Sequence, residues 1–273
     1  MSIYLKKFSI HAEYEAYIAS EDKVLPNVSI CTTEGDVHYN PVPPPHDYSQ
    51  DYFTMVVTVG GNIKWSGSIT ANKLSYSMDN GETWTTANSS TTISVEASDK
   101  ILWKGTPTPQ SSEGIGKFSD ATAVRYSVEG NAMSLLFGDD FKGKTSLEGK
   151  NYGLYGLFSG NTNVTSAENM SLPATTLADY CYCRMFLSCT SLTTAPSVLP
   201  ATTLAVSCYQ EMFNSCASLS SIKCLATDVS ASYCTTSWVN GVAASGTFTK
   251  AASVSSWTTG INGIPSGWSV VDA

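Results

Sequence analysis

Apolar residues in the middle of this chain alternate with polar ones or crowd into short β-branched runs. Residues 53–59 read Phe-Thr-Met-Val-Val-Thr-Val and stop at Gly60-Gly61. Such side chains suit a pleated, half-buried surface. Residues 62–68 return as a second strand. Residues 73–78 alternate and then meet Asn80-Gly81, the strongest short-range hairpin signal. Residues 92–96 and 101–104 flank a further turn at 97–100. The pattern predicts a small antiparallel β-sandwich over residues 46–130.

A different order governs residues 131–273. Residues 172–198 align without gaps on 199–225, and 15 of the 27 positions are identical. A period of 27 falls in the leucine-rich-repeat range. The shared apolar positions form a spine. In the first copy it is Leu177, Cys181, Met185, Phe186, Cys189 and Leu192, and in the second Leu204, Cys208, Met212, Phe213, Cys216 and Leu219. Weaker copies flank the pair. Leu157-Phe158 and Val164 echo Met185-Phe186 and Leu192, while Cys234 and Trp238 echo Cys208 and Met212 after 26 residues. Atypical end copies serve as caps. Pro173 suits a helix start, and Leu177, Cys181 and Met185 recur at i, i+4 and i+8. Each repeat therefore predicts a short helix followed by an extended segment through Leu192. The fold expected is mainly β with short helices: an N-terminal segment, a sandwich and a C-terminal solenoid.

Seven of the eight cysteines lie between Cys181 and Cys234, with Cys31 apart. That density suits a disulfide framework or a zinc site. Repeat position favours a third reading, because Cys181, Cys208 and Cys234 are equivalent, as are Cys189 and Cys216. Reduced cysteine packs as a small hydrophobe, so a buried ladder of thiols is expected and no metal. Cys181-x-Cys183 is not repeated, since Gln210 stands in the next copy.

Residues 1–45 end in Pro-Val-Pro-Pro-Pro at 41–45, a stiff extended linker. Residues 1–22 lack the apolar core of an export signal. Nothing is long and apolar enough to span a membrane. Net charge is -8 and the arginines are Arg125 and Arg184, which excludes the basic patch that nucleic acid needs. Charged residues make up 14%, a low value shared with many extracellular binding proteins.

The run Leu-Pro-Ala-Thr-Thr-Leu-Ala-x-x-Cys-Tyr-x-x-Met-Phe-x-Ser-Cys-x-Ser-Leu, at 172–192 and 199–219, closely resembles BspA-type leucine-rich repeats. These abound in surface proteins of gut Bacteroidetes and in their phages. Residues 222–226 and Gly-Ile-Pro-Ser-Gly-Trp at 263–268 resemble the terminal cap of those chains. Residues 15–18, 25–29 and 37–40 resemble a short N-terminal module of phage structural proteins. The resemblance implies attachment or recognition without supplying a ligand. Ser77, Asp79, Gly81 and Trp84 resemble an Asp-box, S-x-D-x-G-x-x-W, a hairpin turn of carbohydrate-associated β proteins. There Asp79 would accept turn amides, Gly81 would take positive φ and Trp84 would pack beneath. The turn is structural in those families, and a sialidase would need three arginines.

Gly138 to Thr145 matches the phosphate-loop string G-x-x-x-x-G-K-[ST], with residues 134–137 as a possible preceding strand. The glycine-broken stretch after Thr145 predicts no helix to hold phosphate. His11, His38 and His46 form no metal or catalytic motif. Trp65, Trp84 and Trp103 suit core positions more than sugar platforms. No catalytic residue or cofactor is expected. The expected function is a phage virion accessory or attachment protein, fibre or capsid-decorating. It would dock to other virion proteins through residues 1–45 and contact a host surface glycan or protein. A homo-oligomer is expected, with a trimer by analogy to fibres. The alternative is a bacterial cell-surface adhesin.

Overall fold

The computed structural model describes residues 45–67, 73–119, 123–254 and 257–273. The chain divides into Met1–His46 and Asp47–Ala273. The docking segment and proline linker expected at 1–45 lie, but for Pro45, outside the described residues, as do Cys31, His11 and His38.

The second unit is mainly β. Strands β1 (Phe53–Val59), β3 (Leu74–Ser77), β4 (Thr85–Thr86), β6 (Lys100–Gly105), β8 (Arg125–Asn131) and β9 (Val164–Ser171) form one sheet in the order β4-β3-β6-β1-β8-β9. Strands β2 (Gly61–Ser66), β5 (Thr92–Val95) and β7 (Lys117–Ser119) form another, ordered β5-β2-β7. The β3–β4 pair is the hairpin expected around Asn80-Gly81. The described part of the second strand expected at 62–68 does not return along β1, however. β2 crosses to the smaller sheet, and β5 and β6 likewise pair in different sheets. An aromatic layer joins the sheets. Trp65 of β2 lies 6.1 Å from Trp103 of β6, and Phe118 of β7 lies 4.9 Å from Trp103 and 6.0 Å from Phe53. All four rings are fully buried.

The boundary expected near residue 130 is crossed by hydrogen bonds. β9 joins β8 in parallel, Tyr126 opposite Val164 and Gly130 opposite Met170. Between them, Ser134 opens the short helix α1 (Ser134–Phe137). Its hydroxyl accepts Phe53 N–H at 2.9 Å and donates to the Trp103 carbonyl at 2.9 Å. This fully buried hydroxyl ties α1 to the sheet.

From Tyr152 to Val242 the chain runs as four stacked coils, at residues 152–161, 180–189, 207–216 and 233–242. No helix forms in them, contrary to the expectation from Pro173 and the i, i+4, i+8 pattern. Instead, every fourth residue is left-handed: Tyr152, Gly156 and Gly160; Tyr180, Arg184 and Ser188; Ser207, Glu211 and Ser215; Tyr233, Ser237 and Gly241. A left-handed L-residue stops an α-helix. Four-residue turns place every fourth side chain alike, so they mimic a helical face in sequence.

Backbone bonds alternate along each coil. Cys181, Cys183 and Met185 donate locally to residues three earlier, Ala178, Tyr180 and Tyr182. Tyr182, Arg184 and Phe186 donate instead to Cys208, Gln210 and Met212 of the next coil, at 2.9–3.1 Å. The side chains follow. Phe158, Phe186 and Phe213 stack at 5.3 and 5.7 Å, while Tyr182, Tyr209 and Trp238 stack at 6.1 Å steps. Trp238 fills the end of both columns and donates its indole N–H to the Gly263 carbonyl. The extended parts end in a parallel sheet, β10 (Ser221–Cys224), β11 (Thr247–Lys250) and β12 (Ser269–Asp272).

The leucines of the expected spine do not sit on a helical face. Leu177 and Leu204 precede the coils, in the extended approach to each. Leu204 is buried, and its N–H donates to the Asp228 carbonyl of the following repeat at 3.1 Å. Leu177, at the same repeat position, is only half-buried and packs against the core beside buried Ala178. Leu192 and Leu219 follow the coils and are fully buried. Their N–H groups close the turns after Cys189 and Cys216 by donating to the carbonyls of those residues, at 3.0 and 2.9 Å. Leu219 also accepts Ala243 N–H through its carbonyl at 3.1 Å, which links its turn to the fourth coil.

Gly130 sits where β8 meets the start of β1. Its φ is +80, and a Cβ there would come within 2.0 Å of the Tyr52 carbonyl oxygen. Gly143, at φ +72, has nothing within 4 Å of that position. Gly130→Ala is therefore expected to cost about 3 kcal/mol and Gly143→Ala about 1 kcal/mol in urea unfolding. Equal losses would contradict this packing.

Candidate functional site

The outer edge of the coils carries the exposed functional groups. Of the left-handed residues, Tyr152, Tyr180, Arg184, Ser188, Glu211, Ser215, Tyr233 and Ser237 are half-buried or exposed. Tyr152 and Tyr180 stack face to face, 4.6 Å apart and 5° from parallel. Arg184, one turn along from Tyr180, donates through its Nη1 to the Tyr155 hydroxyl at 2.9 Å. Its Nε donates to Glu211 of the next coil at 2.5 Å. This carboxylate, accepting the bond, holds the guanidinium more firmly protonated than usual. At the position of Tyr180 the next coil has Ser207, then Tyr233, which is 68% exposed. Ser207 is buried, and its hydroxyl is unpartnered. The chemistry on this face is stacking and hydrogen bonding.

The Asp-box residues form the turn that the sequence describes. Ser77 Oγ accepts Gly81 N–H at 2.9 Å and donates to Asp79 at 2.7 Å. Asp79 also accepts the Thr83 hydroxyl and, at 2.9 Å, Thr83 N–H. These donors, Thr83 first, hold its carboxyl at about 2. Asn80 and Gly81 are both left-handed, and Trp84 donates its indole N–H to the Gly81 carbonyl. Trp84 is half-buried, with Lys104 Nζ 4.1 Å over its ring and Tyr52 edge-on at 5.1 Å. A ring face covered by an ammonium cannot stack on a sugar. Trp65 and Trp103 are core.

The phosphate-loop string is taken apart by the fold. Residues 134–137 are α1 rather than a strand, Gly138–Phe141 is a 3-10 turn, and turns follow it. Asp139 is held by Lys104 at 2.8 Å and by the Tyr52 hydroxyl at 2.5 Å. Burial and this carboxylate push the Tyr52 phenol up to about 12. Lys144 lies over the Phe137 ring, 5.8 Å from its centroid.

The seven cysteines from Cys181 to Cys234 are all buried. The coils place Cys181, Cys208 and Cys234 one above another. Cys189 and Cys216 donate their thiols to the Phe158 and Phe186 carbonyls of the preceding coil. Burial pushes Cys181, Cys183, Cys216 and Cys224 up to about 12, and raises Cys208 and Cys234 as well. No group of three or more His, Cys, Asp or Glu is placed to hold a metal ion among the described residues.

Sequence reasoning passed over Tyr152, Tyr155, Tyr180, Arg184, Glu211 and Tyr233. A signal for the central ones was present. Within 172–192 and 199–219 the two copies differ at Asp179/Val206, Tyr180/Ser207, Cys183/Gln210, Arg184/Glu211, Leu187/Asn214 and Thr190/Ala217. All but Cys183 and Ser207 are half-buried or exposed, whereas most identical apolar positions are buried. The differences between copies trace the outer edge.

Two expectations follow. At pH 8, iodoacetamide is expected to leave Cys181 to Cys234 unmodified in the native protein and to alkylate them all in guanidinium, as read by peptide mass mapping. Native labelling of Cys181 would contradict the stacking. Asp79 has a folded pKa below its unfolded value of about 3.9. Its contribution is thus present above about pH 4 and lost as pH falls through about 2. Asp79→Ala should lower the melting temperature at pH 7, and the deficit should shrink by about pH 2.5. A deficit independent of pH would show that the ionised carboxylate is not what stabilises the turn.

No protein family, curated protein or solved structure matched the chain on comparison.

Proposed function

We propose that this chain is an attachment protein, in which a BspA-type leucine-rich-repeat solenoid carries the ligand-binding face. In this reading the six- and three-stranded sheets are the faces of a small β-sandwich that supports the solenoid. Residues 1–45 dock the chain to other virion proteins. The assembly is a phage fibre or capsid decoration that meets a host surface glycan or protein. It is a homo-oligomer, a trimer by analogy with fibres, because several weak contacts sum to firm adhesion.

One observation carries the reading: the division of labour inside the repeat. Spine residues are shared between copies and mostly buried. Outer residues change from copy to copy and are held at fixed spacing by backbone bonds. A rigid frame with changeable surface groups suits recognition. Tyrosine, serine, asparagine and arginine on that edge are the residues that binding loops favour, being rigid, amphipathic or adaptable in hydrogen bonding. The neighbouring acid–base groups, Arg184 and Glu211, are already joined to each other.

The test is binding to cells. Fluorescently labelled full-length chain should bind saturably to a host strain of gut Bacteroidetes, and an antibody to it should decorate virions. Absence of cell binding ends the attachment reading. Decoration of the producing cell's own envelope selects the adhesin instead.

A further inference from the structure

The parallel sheet at the end of the chain has an open side. Strand β11 pairs with β12, and among the described residues no strand pairs with the other side of β12. Ser269 and Ala273 donate their N–H groups toward β11, to the carbonyls of Gly246 and Lys250 at 2.9 and 2.8 Å. Bonding direction alternates along a strand. Val270 and Asp272 therefore present both N–H and C=O outward, away from the sheet.

Four residues long, β12 lacks the other guards of a sheet edge: it carries no proline, no lysine and no bulge. All four residues are exposed. Val270 and Val271 are 45% and 44% exposed, on opposite faces. The charge of Asp272 is already met by Lys250 of β11, so it does not repel a second strand. Of the seven large apolar residues exposed among those described, Val229, Tyr233, Ile261, Val270 and Val271 fall within residues 229–273. Apolar exposure is thus concentrated in the part of the chain that ends in β12.

We propose that β12 pairs antiparallel with β12 of a second copy of this chain, across a two-fold axis at Val271. The edge is complementary to itself in this register. Val270 stands opposite the partner's Asp272, and Asp272 opposite the partner's Val270. Each of these two pairs exchanges two N–H···O=C bonds, so every outward backbone group on both copies is satisfied. Between them Val271 meets the partner's Val271 as a close, non-hydrogen-bonded pair, where apolar side chains stabilise a sheet. Two three-stranded sheets become one of six strands. A two-fold contact uses the same patch twice and closes, which leaves no edge to recruit further chains. This contact is separate from the trimer and the attachment reading above and does not rest on them.

Sedimentation equilibrium of the full-length chain would run up to about 0.5 mM, because a contact of this size is small. The mass should fall at least twofold in Val271→Lys, which sets two ammonium groups face to face. It should fall likewise in Val270→Pro, which removes an outward N–H and no bond within the chain. Val59→Lys changes a comparably exposed valine on β1 and should leave the mass as it is. Cross-linking gives a second readout. Facing Val271 positions lie within disulfide reach, so oxidised glutathione should link Val271→Cys into covalent dimers at least fivefold more than it links the parent or Val59→Cys. A parent that stays monomeric throughout, a mass that survives both edge variants, or cross-linking no greater than that of Val59→Cys overturns the pairing. A trimer held together elsewhere survives both edge variants, so it cannot be mistaken for this contact.

Discussion

The coils depend on how their backbone N–H groups are shared out. In a helix all of them stay within the segment, and in a sheet they all leave it. Here they alternate. One N–H closes a local turn and the next reaches the neighbouring coil. Buried amides are thereby satisfied, as they must be, and each coil is bonded along its length to the one above. The left-handed residues make this possible. Each costs of order 1 kcal/mol when it is not glycine, yet Tyr180, Arg184, Ser207 and Glu211 all accept it. The return is a backbone that turns every four residues and stacks aromatic rings in register.

Much of this was legible in the repeat. The 27-residue period set the register of coils two and three. Trp238 does align with Met212, and Phe158 with Phe186. The local conformation was not legible. A period of four and a period of 3.6 differ too little over Leu177, Cys181 and Met185 to be told apart, and no glycine marks the left-handed sites in the second and third coils. Nor does residue type explain why Leu204 is buried and Leu177 only half so, since the two stand in equivalent places. In the sheets, Phe53–Val59 and the Asn80-Gly81 hairpin could be read from residue type. Which sheet β2 and β5 would enter could not, because alternation marks a strand without naming its partner. Ser134 gave no sign either. Its importance comes from two backbone groups, at Phe53 and Trp103, that lie far away in sequence.

The same contrast applies to the sites. Asp79, Gly81 and Trp84 were found because a turn is local and its residues sit at fixed offsets. The column of Tyr180, Ser207 and Tyr233 is spread over two repeats and needs the coil spacing before it can be seen. Meanwhile the groups that drew attention as chemistry are absorbed as structure. Thiols pack, Asp139 anchors Lys104 and Tyr52, and Trp84 lies beneath an ammonium.

Because the upper and lower edges of a coil offer matching donors and acceptors, one copy can sit between any two others. A tandem, in-frame duplication of one repeat would insert a coil whose bonds and ring contacts are already complementary to both neighbours. Only its outermost side chains would be new to the surface. The spine thus permits growth and shuffling by whole units, while substitutions at the edge leave it untouched. A chain built this way can change its surface without renegotiating the fold.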